Sequence, residues 1–209
     1  MSKILKFIIS LSISLFIITS IVIFTVKCKT LYYFDIDYLN IPKISNMTKE
    51  DIKLNYDYLI EYNTSNRELD FKLPTLKSST EGEIHFEEVR EIFQNIKLIN
   101  LITGIISIIG IFICIKKKNI KILKHIGIAL ISIPLFLMIP IIMNFEVSFR
   151  IFHEILFDND YWIFDPSIDP VINILPAEFF LHAGILILSL ILIFSIICIF
   201  IYKLLIKKE

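Results

Sequence analysis

The sequence predicts a mainly α, integral membrane fold. Four transmembrane helices have both termini cytoplasmic. A small α+β extracytoplasmic insertion lies between helices 1 and 2, and an interfacial helix with an irregular loop lies between helices 3 and 4. Three observations predict this. Hydrophobic residues make up 56% of the chain and the mean hydropathy is +0.73, above a soluble domain's apolar share. Long apolar runs recur four times. The charges are sorted by loop.

Each run comes close to the ~20 residues that cross ~30 Å of hydrocarbon as a helix. Residues 99–115 carry no charge, and residues 181–202 carry none beyond His182. Residues 7–26 form a third run. Residues 120–143 form a fourth, interrupted early by Lys121, Lys124 and His125 and expected to kink at Pro134 and Pro140. The spans are placed at 4–26, 98–115, 122–143 and 181–206. They leave outer loops at 27–97 and 144–180 and a cytoplasmic loop at 116–121. The first run is read as an uncleaved anchor, because its apolar core is too long for a signal peptide and no small-x-small cleavage pattern follows. Lys27 before Cys28 also spoils a lipid-attachment box.

Lysines set the orientation. Lys116, Lys117, Lys118, Lys121 and Lys124 crowd the short connection between spans two and three, Lys3 and Lys6 precede span one, and Lys203, Lys207 and Lys208 follow span four. Short lysine-rich segments mark the cytoplasmic side. On this topology Glu209 is the one cytoplasmic acid of 21, so the net charge of zero conceals an outside-negative, inside-positive chain. The cysteines Cys28, Cys114 and Cys198 fall on both sides of the membrane and are expected to pack, not to pair.

In the first outer loop, Thr48 with Asp51 three residues on resembles a capping box. Ile52, Tyr56, Leu59 and Ile60 follow at helical spacing, so a helix is expected over 48–62. The string LDFKLP alternates apolar and polar residues and is expected to form a short strand. A further helix is expected from about Phe86, with Phe86, Val89, Phe93 and Ile96 on one stripe. In the second loop Phe149, Phe152 and Leu156 share a face, and Arg150 and Glu154 can pair at i, i+4. Such a helix lies in the membrane interface. The prolines at 166, 170 and 176 then forbid a long regular element, and Tyr161 and Trp162 suit headgroup level.

No phosphate-binding glycine loop and no basic cluster beyond those explained by topology is present, so neither nucleotide nor nucleic acid is an expected partner. The string HEILF begins like the zinc motif H-E-x-x-H, but Phe157 stands where the second histidine belongs, and no metal or other cofactor is expected. No Gly-x-Ser-x-Gly elbow offers a nucleophile. His125, among lysines, reads as solvated, and His182 is open between interfacial packing and function. His85 and His153 both lie outside, and general acid-base work by imidazole is the chemistry that fits such a pair.

The string RIFHEILFDNDYWIFDPSIDPVINILPAEFF, preceded by IHFEEVREIF and set in four spans, resembles the bacterial integral membrane lipoprotein intramolecular transacylases. The resemblance implies an acyltransferase of the bacterial cytoplasmic membrane. Its substrate is a lipoprotein whose N-terminal cysteine carries a diacylglyceryl group. The reaction moves the sn-2 acyl chain to the α-amino group of that cysteine, giving a lyso-form lipoprotein. The family's two essential histidines map onto His85 and His153. Arg150, Glu154, Asp160, Tyr161, Trp162 and Asp165 are carried over as supporting or substrate-binding residues, with Asp160 or Asp165 holding a histidine nitrogen or merely lining a solvated loop. Trp162 and the phenylalanines are expected to pack the loop and line the lipid groove, and membrane phospholipid is an expected partner. A membrane lipid esterase using the same histidines and a non-enzymatic membrane accessory protein are the alternative functions. A straight helix over 86–115 would hold His85 about 45 Å from its far end. The polar Gln94, Asn95, Lys97 and Asn100 argue for a bend, and residues 86–95 are expected to tilt or dip so that His85 can reach His153.

Overall fold

The computed structural model describes residues 1–207, the side chain of Ile133 excepted; Lys208 and Glu209, which enter the charge asymmetry above, lie outside the described residues. Among the described residues the regular structure is helical. The chain divides into two compact units. One holds Met1–Phe24, Ile96–Met143 and the chain from Ile185 onward, and the other holds Thr25–Asn95 and Asn144–Gly184.

The first unit is built from α1 (Lys3–Lys27), the C-terminal part of α5 (Thr80–Lys116), α6 (Lys121–Met143) and most of α8 (Ala177–Ile206). Among the described residues these four helices are long and apolar enough to cross a membrane. Pro134 and Pro140 lie inside α6, which runs unbroken through both. Ile9, Ile13, Ile21, Cys114, Ile122, Ile126, Leu130 and Ile191 make the interior cluster. Small residues let the helices approach, as expected where lipid gives no hydrophobic drive for association. A Cβ at Gly127 would stand 3.1 Å from the Ser195 carbonyl oxygen and 2.6 Å from an Ile199 side-chain carbon, while Ser195 Oγ donates back to the Gly127 carbonyl at 2.6 Å. Asn100 Nδ2 donates to Thr19 Oγ1 at 2.9 Å and Ser20 Oγ at 2.7 Å, which ties α5 to α1. All three cysteines are free.

The second unit comprises α2 (Lys29–Tyr38), α3 (Ile41–Ser45), α4 (Lys49–Thr64), the first sixteen residues of α5, α7 (Phe145–Leu156), a 3-10 turn over Pro170–Ile174 and the start of α8. Helix α4 begins where the capping box places it, with Thr48 Oγ1 accepting from Asp51 N at 3.1 Å. Tyr32, Ile36, Ile41, Ile52, Leu59 and Ile174 form a buried core whose centre is the Tyr32–Tyr56 ring stack, 3.6 Å between centroids. Tyr32 donates its hydroxyl to the Ile174 carbonyl at 2.5 Å, so the core also fixes the 3-10 turn. Each fully buried apolar side chain contributes about 1.5–3 kcal/mol.

Two expectations are corrected here. No strand is present among the described residues, so the insertion is not α+β. Phe71 and Leu73 of the LDFKLP segment do enter the core. No neighbouring strand offers a ladder, however, and the Tyr58 hydroxyl serves the backbone in its place, donating to the Asp70 carbonyl and accepting from Lys72 N. Second, α5 starts at Thr80, one and a half turns before Phe86. Helix α5 is continuous through residues 86–100, and its polar residues there find neighbours to bond. Gln94 Nε2 donates to the carbonyls of Asn63 at 3.3 Å and Ser65 at 3.0 Å. Arg90 donates to the carbonyls of Tyr62 and Arg67 and lies 4.7 Å over the Tyr62 ring.

Candidate active site

Helix α7 is capped by Asn144, whose side-chain oxygen accepts from Val147 N at 3.1 Å. Its strongly amphipathic sequence turns Phe149 and His153 onto one face. His153 is 9% exposed and lies among Phe149 at 4.3 Å, Phe157 at 5.7 Å and Trp162 at 4.7 Å between centroids, the indole nearly parallel at 29°. Its Nδ1 lies 2.7 Å from the Phe149 carbonyl oxygen. A carbonyl can only accept, so Nδ1 carries the proton, and in the neutral ring the lone pair sits on Nε2.

His85, 6% exposed, sits in the charged N-terminal part of α5, away from the apolar run at 98–115. It lies 4.8 Å from the Phe157 ring, 5.5 Å from Phe164 and 6.1 Å from His153. The two imidazoles therefore share one aromatic box. His85 Nδ1 is buried without a hydrogen-bond partner.

The end of α5 that carries His85 is held by a device the sequence reading did not single out. Asp169, 5% exposed, accepts from Ser79 N and from Ser79 Oγ, both at 2.7 Å, and Gly82 N donates to Ser79 Oγ at 2.9 Å. Ser79 thus caps α5 while a carboxylate complements the positive end of the helix. A Cβ at Gly82 would stand 2.6 Å from Asp169 Oδ1 and 3.3 Å from the Phe164 ring, so only glycine permits this approach. The Ser79-Thr80-Glu81 start was the readable signal for a helix here. Its partner, 90 residues away, had none.

Of the other expected site residues, Trp162 is brought onto His153. Arg150 and Glu154 pair with each other at 3.6 Å, and both are exposed. Asp165 accepts from Ser167 N at 2.8 Å and Ser167 Oγ at 2.7 Å, bonds that hold its carboxyl below the usual carboxylate range, and it does not hold a histidine nitrogen. Asp160 and Tyr161 lie exposed on the same loop. His182 holds a carboxylate elsewhere, its Nδ1 being 2.9 Å from Asp35 Oδ1, and Asp35 is fully buried. Among the described residues no group of three or more His, Cys, Asp or Glu side chains could hold a metal ion.

The family model of the Lipoprotein intramolecular transacylase Lit matches residues 7–180. The chain belongs to this family. The solved membrane integral lipoprotein intramolecular transacylase Lit of Bacillus cereus is 46% identical, with a TM-score of 0.95 over 99% of this chain and 96% of that one. Structures of the same Bacillus cereus protein with the H85R mutation and the H85A mutation, also 46% identical, match 99% of this chain and 92% and 94% of theirs, with TM-scores of 0.88 and 0.89. Curated proteins offer no match. As a lipoprotein intramolecular transacylase the chain is an acyltransferase, and it is a membrane protein.

Burial governs the electrostatics of this site. It lowers the pKa of His85 to about 4, with the neighbouring His153 adding to the fall. Burial also lowers that of His153, against a smaller opposing effect of the Phe149 carbonyl. Both rings are neutral at pH 7. A histidine of lowered pKa takes up a proton less readily than the unfolded chain does, so the unfolded state binds more protons between pH 6.5 and 4. The stability is then fully present above about pH 6.5 and is lost as pH falls toward 4, by at most about 3 kcal/mol for His85. Thermal unfolding midpoints should therefore fall more steeply on acidification in the wild type than in a His85→Phe variant, which cannot take up that proton; parallel curves would contradict it.

Proposed function

We propose that the chain moves the sn-2 acyl chain of a diacylglyceryl-modified lipoprotein onto the α-amino group of the same N-terminal cysteine, with His85 and His153 as acid-base catalysts. The 6.1 Å separation of the two buried imidazoles carries this reading. An α-ammonium group titrates near 7.7–8.0, so most of it is protonated at neutral pH and needs a base before it attacks. His153 fits that role, since Nδ1 is committed to the Phe149 carbonyl and Nε2 can accept the proton. The acyl carbon bonds to the amine nitrogen, an oxyanion forms, and the bond to the sn-2 oxygen breaks. His85 fits the other end of the transfer as a neutral donor to the oxyanion; the proton that the nitrogen sheds as it becomes an amide finishes on the glycerol oxygen, and the one first taken from the ammonium passes from His153 to water. Amine and ester belong to one molecule, so holding them in contact replaces much of the entropic cost of bringing reactants together.

The site then faces the outer leaflet, with both chain termini cytoplasmic. The lysine distribution supports this orientation. Membrane phospholipid surrounds the exposed apolar helix faces. Arg150, Glu154, Asp160, Tyr161 and Asp165 are assigned to the rim of the substrate groove, and Trp162 to its wall.

Expression in a bacterium that makes diacylglyceryl lipoproteins, followed by mass analysis of their N-termini, tests the reading. Lyso-form lipoproteins with an N-acylated cysteine are expected. Loss of an acyl chain as free fatty acid would indicate an esterase, and unaltered lipoproteins an accessory protein.

A further inference from the structure

We propose that the Glu88 carboxylate is the subsite that receives the α-ammonium group of the lipoprotein's N-terminal cysteine. This deepens, and rests on, the reaction proposed above. Glu88 lies three residues beyond His85 on α5, so the two side chains rise from one face of the helix a turn apart. Its Oε1 accepts from Asn159 Nδ2 at 2.7 Å. Its Oε2 is buried and has no partner.

The position of Asn159 connects this carboxylate to the two histidines. Asn159 follows Phe157, whose ring lies 4.8 Å from His85, and precedes Trp162, whose ring stacks on His153. One short loop therefore walls the imidazoles and orients Glu88. No ion pair among the described residues involves Glu88. The nearby Arg90 spends its guanidinium on the carbonyls of Tyr62 and Arg67.

A buried carboxylate oxygen with no donor is an unfavourable arrangement that a bound cation relieves. An ammonium supplies three donors and the opposite charge. The enclosed oxygen can meet it without backbone movement, because the terminal torsion of a glutamate is soft. The remaining polar groups of the diacylglyceryl-cysteine head are esters and a thioether, which accept hydrogen bonds, so the ammonium is the part of the head that an acceptor can hold. A carboxylate also stabilises the ammonium against proton loss. Glu88 therefore acts in binding and placement, and the proton is taken by an imidazole.

The test compares two peptides bearing the diacylglyceryl group with an ether in place of the sn-2 ester, so that no transfer occurs. One has a free α-amine, and the other has hydrogen in its place. The wild type should bind the amine form about tenfold tighter or more, the scale of one charge-assisted hydrogen bond. E88Q is nearly isosteric, and its amide oxygen can still accept from Asn159. It should bind both peptides alike while keeping the wild-type unfolding midpoint. With the ester substrate, E88Q should raise KM more than it lowers kcat. Equal binding of the two peptides by the wild type, a comparison that needs no variant, would overturn the proposal, as would undiminished amine selectivity in E88Q. If the wild type transfers the ester substrate's acyl chain and E88Q keeps its selectivity, the Glu88 assignment alone fails. If the wild type transfers none, the reaction reading fails.

Discussion

Replacing His153 or His85 by alanine should lower the rate of lyso-lipoprotein formation about 10²- to 10⁴-fold, the range expected for losing a positioned acid-base group. His153→Phe should be as inactive and better folded. It preserves a ring between Phe149 at 4.3 Å and Trp162 at 4.7 Å while removing both nitrogens, so it separates proton transfer from packing. The double variant should cost little more than the worse single one, because two groups serving one transfer act as a unit. Mass analysis of an N-terminal lipopeptide over time measures all four variants. Wild-type rates in either alanine variant would remove that histidine from the chemistry.

Asp169→Ala should be the next largest effect, and it should appear in stability and rate together. The change leaves Ser79 N and Oγ without their acceptor at the start of α5, a loss of about 2–4 kcal/mol. It also frees the start of α5, the helix that carries His85. Displacement of a reacting group by about 1 Å can cost on the order of 100-fold, so kcat should fall about 10- to 100-fold. Gly82→Val should act alike by pushing the Asp169 carboxylate away. A thermal unfolding series beside the kinetic one checks this, and a destabilised variant with wild-type kcat would confine Asp169 to folding.

Much of the fold was legible because the bilayer is a demanding solvent. Uninterrupted apolar runs such as residues 99–115 have few other uses, and backbone groups crossing lipid must be satisfied within a helix. The Thr48 cap and the Phe149–Leu156 face were legible because each is a local pattern. What failed was local evidence overruled by distant partners. The alternation of Phe71 and Leu73 is real and both are buried, yet a strand needs a neighbour, and Tyr58 satisfies the backbone without one. Gln94 and Asn100, which suggested a bend in α5, bond groups outside that helix, which is continuous there.

The site divides in the same way. His85 and His153 stood out by residue type and by the string around them. Trp162 belongs beside His153, while Arg150, Glu154 and Asp165 partner residues within their own segments. Asp169, Gly82 and Asn159 act across 71 to 90 residues of chain, and their partners could not be read from spacing. Asp160 and Asp165, the acids expected to hold a histidine nitrogen or to line a solvated loop, leave the histidine nitrogens alone. The carbonyl of Phe149, one turn back on α7, holds His153 in their stead.

In the proposed reaction one molecule's sn-2 chain passes to its own amine under the two histidines. A diacylglyceryl-cysteinyl peptide with a deuterated sn-2 chain, mixed with an unlabelled substrate whose peptide differs in mass and given to the purified wild type and the His153→Phe variant, is the decisive measurement. Mass spectrometry should find the label on the amine of the cysteine that carried it, and not on the other peptide, with the wild type, and unmoved substrate with the variant. Label released as free fatty acid, or equal transfer by both proteins, would contradict it.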